Sequence, residues 1–307
     1  MTVRRRASSA VIGAAVLFGT TGTAQGLGPA GTTPVGVGTL RIAVGAVALW
    51  AFARRWPDPA LLRRHLGLFV VAGCGVAVYQ PAFFTGTARS GVALGTIVAL
   101  GGGPLFAGLL ETVSSRRLPR PTWWAATLLT VAGGALVVVG TGTAGATVDV
   151  VGLLCSLAAG AGYAVYAVAA ARLIRAGVPS TVALAWPFTL GAVLLLPTLV
   201  GEPLGWVPTV AGAAMLLHLG VATVGVAYVL YGFGLRSLDA STAVTLTLAE
   251  PLTAALLGVV VLGERLRPAG WAGAVLVLAG LAVAGGVADR QRSYTRNSTT
   301  LPSGSRT

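Results

Sequence analysis

The chain has no lysine: all 21 of its basic residues are arginine. That absence excludes a phosphate-cradling G-x-x-x-x-G-K-[ST] loop, and so a nucleotide-driven pump built into this chain alone. It also excludes Schiff-base chemistry on a lysine amine, a retinal pigment included. Cysteine is limited to Cys74 and Cys155, both inside apolar runs, so neither a disulfide framework nor a zinc site is expected. His65 and His218 are too few and too scattered for a metal cluster, and no metal or cofactor is expected. Charged residues make up only 9% of the 307, against about a quarter in a soluble globule, so water is not the main solvent.

What the chain has instead is apolar length: 55% hydrophobic residues and a mean hydropathy of +0.84. Crossing about 30 Å of hydrocarbon takes about 20 apolar residues in a helix, which satisfies its backbone polar groups internally. Ten segments meet that requirement: Ala7 to Leu27, Val35 to Ala53, Leu66 to Ala88, Val92 to Val113, Trp123 to Gly142, Val150 to Ala171, Val182 to Val200, Val210 to Leu235, Ala240 to Leu262 and Gly270 to Ala288. The first follows Arg4-Arg5-Arg6 but is longer than a secretory signal core and has nine successors, so it reads as a span. Gaps such as Arg54-Arg55-Trp56-Pro57-Asp58-Pro59 and Leu118-Pro119-Arg120-Pro121 carry the residues that punctuate helices. From Asp289 onward Ser, Thr, Asn and Arg dominate, and residues 289–307 are expected to form a disordered tail.

A net charge of +13 ordinarily suggests nucleic acid, but here the arginines sit in short gaps between apolar runs. The expected partner is the lipid bilayer, not nucleic acid. Placing the N-terminus inside puts seventeen arginines on the cytoplasmic side and only Arg89, Arg265 and Arg267 outside, with Arg41 inside a span. Cytoplasmic loops carry an excess of positive charge, so both termini are expected in the cytoplasm and the chain in the cytoplasmic membrane.

Sliding the sequence by 147 residues superposes Arg89-Ser90 on Arg236-Ser237, Pro104-Leu105 on Pro251-Leu252, Arg120-Pro121 on Arg267-Pro268 and Trp124-Ala125 on Trp271-Ala272. Matches of Ala, Gly or Leu are cheap in this composition; matches of Pro, Trp and Arg are not. The shift carries spans three to five onto eight to ten. The repeat is therefore five helices long, residues 7–142 and 150–288, and an odd number leaves the second copy inverted. Inverted repeats are how many secondary transporters build two exchangeable states around one site.

At this point the residues resemble a known family. Pro34, Arg41 and Ala43 lie in span two, Pro104-Leu105 and Glu250-Pro251-Leu252 in the two pseudo-equivalent helices. Gly263-Glu264-Arg265-Leu266 leads into Pro268, Gly270 and the Gly273 to Gly280 stretch. The chain resembles the EamA-type transporters of the drug/metabolite transporter superfamily. That resemblance implies ten helices in two inverted EamA repeats that carry metabolites, often outward. The first half departs from the pattern, with Ser115-Arg116-Arg117-Leu118 in place of Gly-Glu-Arg.

Ionisable groups within a bilayer are expensive and are functional candidates by default. Glu250 lies near the middle of span nine directly before Pro251, whose missing N–H and ring loosen the helix. Its carboxylate can bind a cationic group, take up a proton, or sit sealed at a kink. Arg41, in the outer half of span two, can clamp a carboxylate or phosphate, snorkel to headgroups, or pair with Glu250. Thr20, Thr21, Thr23 and Gln25 make span one unusually polar, lining a solute path or gluing helices together. Tyr79 and Gln80 precede Pro81, while Tyr163 with Tyr166 and Tyr228 with Tyr231 are pairs three apart on one helix face, suited to an organic solute or to interfacial belts. Gly101-Gly102-Gly103-Pro104 occupies the place pseudo-equivalent to Leu248-Ala249-Glu250-Pro251, and both Gly103-Pro104 and Pro251 are expected to break their helices at one central cavity.

The expected function is a secondary transporter of a small organic metabolite (amino acid-like, drug-like or other) that acts by alternating access as an exporter or exchanger. No catalytic residues are assigned. A membrane-embedded enzyme, a structural or sensor protein and a channel are the alternatives, and a homodimer stays open.

Overall fold

The computed structural model describes residues 3–53, 58–90, 92–116, 118–140, 149–263 and 265–298. Among them every regular element is helical. The elements are α1 (Val3–Gly26), α2 (Pro34–Phe52), α3 (Pro59–Arg64), α4 (Leu66–Ser90), α5 (Val92–Ser115), α6 (Pro121–Gly140), α7 (Val150–Arg175), α8 (Ser180–Leu195), α9 (Val210–Leu217), α10 (Ala227–Leu235), α11 (Ala240–Leu246), α12 (Ala249–Val261) and α13 (Pro268–Ser298). Nine stretches among the described residues are long and apolar enough to cross a membrane, and Pro268–Ala284 is a shorter apolar helix. Exposed valines such as Val47, Val113 and Val260 leave an apolar outer surface that only lipid can cover. The protein is a helical integral membrane protein.

Helix ends follow their local chemistry. Thr33 and Asp149 cap α2 and α7 by accepting the Gly36 and Gly152 N–H groups at 3.1 and 2.7 Å. The Gly152 N–H, with Arg89 beside it, holds the Asp149 carboxyl below the usual carboxylate range. Gly263 follows α12 at φ +70°, a left-handed conformation that L side chains rarely adopt, and so stops that helix.

Three departures from expectation have local causes. The span Val210–Leu235 is not one α-helix: between α9 and α10, residues His218–Val226 form a wide-turn π segment packed on α2. The expected break at Gly103-Pro104 does not occur, and α5 runs unbroken from Val92 to Ser115. Proline removes one backbone bond there, but α7 lies directly against this stretch, with Gly160 packed on the Ala99 carbonyl and the Gly103 amide. Where a disordered tail is expected to begin at residue 289, α13 runs on to Ser298, with no Pro or Gly between Gly286 and Ser298 to stop it. Residues 299–307, the linker 141–148 and Glu264 of the Gly-Glu-Arg motif lie outside the described residues.

Span nine does break. Pro251 has no N–H for the Thr247 carbonyl, which instead accepts from Glu250 N at 2.9 Å, while Leu248 N bonds Thr245 O at 3.1 Å. These tighter three-residue bonds separate α11 from α12 and leave Glu250 in the first turn of α12.

Packing unites helices from the two halves of the sequence: α4 lies along α7, α6 along α13, α1 along α12. At the α6–α13 seam backbones touch. A methyl group at Gly273 would sit 2.5 Å from the Gly133 oxygen, and one at Gly133 2.8 Å from the Gly273 oxygen. Only hydrogen fits at either position.

Candidate functional site

The break in span nine opens onto a cavity of about 430 Å³. Glu250 and Pro251 sit at its floor. Phe18, Thr21, Thr23 and Gln25 line it from α1, Arg41 from α2, Tyr79, Gln80, Phe83 and Phe84 from α4, and Thr96 and Leu100 from α5. Its wall continues along Gly258 to Leu262 at the end of α12 and along α1 to Gln25, so the cavity reaches from mid-bundle to the face where those helices finish.

The two charges in this cavity are not paired with each other. The ion pairs among the described residues are Arg89 with Asp149 and Arg175 with Glu111 and Asp239; Arg41 and Glu250 are in neither set. The Nε of Arg41 is buried with no hydrogen-bond partner. Gln80, nearly inaccessible, brings its Nε2 within 3.5 Å of the Gly38 carbonyl, and the Gln25 amide stands 3.4 Å from the Thr21 carbonyl.

The remaining sequence candidates lie elsewhere. Thr20 is held outside the cavity lining. Its Oγ1 donates to Leu17 O at 2.7 Å, so the 2.8 Å contact with His218 Nε2 requires the imidazole to be the donor. Tyr163, Tyr166, Tyr228 and Tyr231 do not line the cavity. They are buried together on the side of it nearer Val3, with Tyr166 and Tyr228 hydroxyls 2.8 Å apart, Tyr163 bonded to Thr247 Oγ1 at 2.8 Å, and Phe188 against Tyr228 with centroids 4.3 Å apart. Gly103 packs on the Tyr163 ring and Pro104 is buried, so neither reaches the cavity. Tyr79 joins the two regions, its ring 5.9 Å from that of Tyr163.

This aromatic block plugs the route toward the face where α1 begins. A polar seal that sequence reasoning missed lies beyond it. Glu111, near the end of α5, accepts the Ala240 and Ser241 N–H groups at 2.7 and 3.3 Å, so one carboxylate caps the start of α11 from 129 residues away. Arg175 reaches Asp239 at 3.0 Å and Glu111 at 3.9 Å, and Arg172 bonds Ser114. The one available signal was the acidic residue among arginines at a helix end, which does not name its partner. Outside this seal an open vestibule of about 730 Å³ is lined by Arg4, Arg120, Arg172 and Arg175. It is larger than the central cavity, and its wall includes Glu111, Asp239 and Ser241 of the seal.

The bundle is therefore closed at one end and open at the other around a mid-depth pocket. Residues 150–286 match the model of the EamA-like transporter family. The chain is 37% identical over 291 residues to the uncharacterized transporter YwfM of Bacillus subtilis (strain 168), covering 92% of this chain and 95% of that one. The chain belongs to the EamA-like transporter family. A solved crystal structure 26% identical to this EamA protein superposes with a TM-score of 0.77, covering 93% of this chain and 98% of its own. Membership makes the protein a membrane transporter with a small-molecule substrate.

Proposed function

We propose that this EamA protein is a secondary carrier that moves a small organic metabolite by alternating access, as an exporter or exchanger. The observation that carries the reading is the one-sided cavity: a pocket holding Arg41 and Glu250 at the span-nine break reaches one face, while tyrosines and the Glu111 contacts fill the path to the other. A pore needs a continuous path; a carrier needs one end shut at a time.

Ten transmembrane helices in two inverted five-helix repeats give this carrier its second state. The 147-residue repeat supports that architecture, and the family match over 150–286 coincides with the second copy. The copies differ where the seal lies, since Glu111 aligns with Gly258, which lines the open cavity. Exchanging which copy is sealed exchanges the open face. The arginine bias supports a cytoplasmic location for the sealed face and both termini, and with it an outward-facing state across the cytoplasmic membrane.

The test is counterflow in proteoliposomes loaded with a metabolite mixture. A carrier gives saturable uptake of labelled solute that is accelerated by unlabelled solute on the far side. Linear, unaccelerated flux would mean a channel and would overturn the reading.

A further inference from the structure

The open vestibule outside the Glu111 seal carries more positive charge than its own carboxylates answer. Its wall holds Arg4, Arg120, Arg172 and Arg175 against Glu111 and Asp239. Both carboxylates are engaged: Glu111 accepts the Ala240 and Ser241 N–H groups at 2.7 and 3.3 Å, and Asp239 takes Arg175 at 3.0 Å. Arg120 and Arg172 pair with no carboxylate among the described residues, and the bond Arg172 makes is to the neutral Ser114 hydroxyl. Two further features favour an anion. Helix α6 starts at Pro121, directly after Arg120, with no acidic residue in its first turn, so the positive end of that helix adds to the charge. Trp123, in the vestibule wall and 5% exposed, has its indole N–H buried with no hydrogen-bond partner. An indole can only donate, as can a guanidinium, so what this wall lacks is a negatively charged acceptor.

We propose that the vestibule is a binding site for a phosphate-bearing anion, held by Arg120 and Arg172, that braces the seal behind it. A phosphoryl group offers several acceptor oxygens and up to two negative charges, enough for two guanidinium forks at once. The volume of about 730 Å³ lies within the small-molecule range and far exceeds a bare phosphate, so the group comes with a body attached: a free organic phosphate or the glycerophosphate head of an anionic lipid. The arginine bias supports a cytoplasmic location for this face, and the cytoplasmic leaflet is rich in anionic lipid. Arg120 immediately precedes α6 and Arg172 lies in the last turn of α7, so one bound anion ties the two helices together in front of the Glu111 contacts and favours the sealed arrangement. The site lies across the tyrosine plug from the central cavity and does not depend on what that cavity carries.

The test uses the full chain in phosphatidylcholine nanodiscs. One arm titrates glycerol 3-phosphate by calorimetry, with glycerol as the uncharged control; the other adds phosphatidylglycerol to the bilayer and counts the lipids retained on the protein by native mass spectrometry. At least one of the two is expected to bind, retention of phosphatidylglycerol alone marking a lipid head and binding of glycerol 3-phosphate a free organic phosphate. Arg120→Gln combined with Arg172→Gln, two exposed positions outside the central cavity, should weaken binding about tenfold or more, the scale of one charge-assisted hydrogen bond. Each single substitution should weaken it by less, and these decide the matter if the double variant does not fold. With ligand at about ten times its Kd, amide hydrogen exchange at Ala240 and Ser241 should slow about tenfold, because the anion binds the sealed form. No binding in either arm, glycerol binding as tightly as glycerol 3-phosphate, or binding unchanged in the variants overturns the site. Unchanged exchange with ligand bound overturns the brace.

Discussion

Replacing Glu111 by alanine should unseal the closed face. The substitution removes the acceptor of two α11 N–H groups, at 2.7 and 3.3 Å, and the more distant of the two carboxylates that Arg175 contacts, at 3.9 Å. The Glu111 side chain is 19% exposed, so water compensates only part of the loss. A hydrogen bond to a charged group contributes about 1.5–3 kcal/mol, and the longer second bond and 3.9 Å ion pair add little, so the closed state should lose about 2 kcal/mol. If the two states otherwise keep their balance, the population opening toward the Glu111 face rises about thirtyfold. Cysteine labelling reads this directly. In a background with Cys74 and Cys155 replaced by serine, Ser241→Cys, in the vestibule wall beside Glu111 and only 5% exposed, should react faster from the Glu111 side once Glu111 is alanine. Thr23→Cys in the central cavity should at the same time react more slowly from the other side, because one state grows at the expense of the other. Glu111→Gln, which keeps an acceptor but not the charge, should fall between. Faster labelling at Ser241→Cys with no reciprocal slowing at Thr23→Cys would mean local fraying, and unchanged labelling at both sites would refute the seal.

Three further outcomes are expected. Gly273→Ala forces a methyl group to within 2.5 Å of the Gly133 oxygen and should destabilise the α6–α13 seam by about 1–3 kcal/mol, visible as a lower melting temperature; an unchanged melting temperature would show that the seam yields. Pro251→Ala restores an N–H that the Thr247 carbonyl can accept, so α11 and α12 should fuse, with transport slowed at normal expression; unaltered transport would mean that the break is incidental. Reporter fusions at residues 3 and 298 should both place their tags in the cytoplasm, and opposite placements would contradict the inverted repeat.

The membrane class was legible because it rests on composition and run length, which neighbouring helices do not alter. Arg41 and Glu250 were legible as costly residues within apolar runs, and they face one cavity. What single residues face across the bundle was not legible. The pairs Tyr163/Tyr166 and Tyr228/Tyr231 do share helix faces, but spacing alone does not say whether a face meets a pocket or another helix, and here both meet each other. The glycines before Pro104 read as a weak point by propensity, yet a helix pressed against them keeps α5 intact. Glu111 was visible as a carboxylate near arginines, but its principal partners are backbone amides 129 and 130 residues away, which no local pattern encodes.

The glycine-to-glycine contact between α6 and α13 joins the last helix before residue 141 to the last of the described helices. Because the two backbones touch there, the groove that receives α13 is shaped largely by α6, and a chain cut short before Pro268 would leave that groove empty.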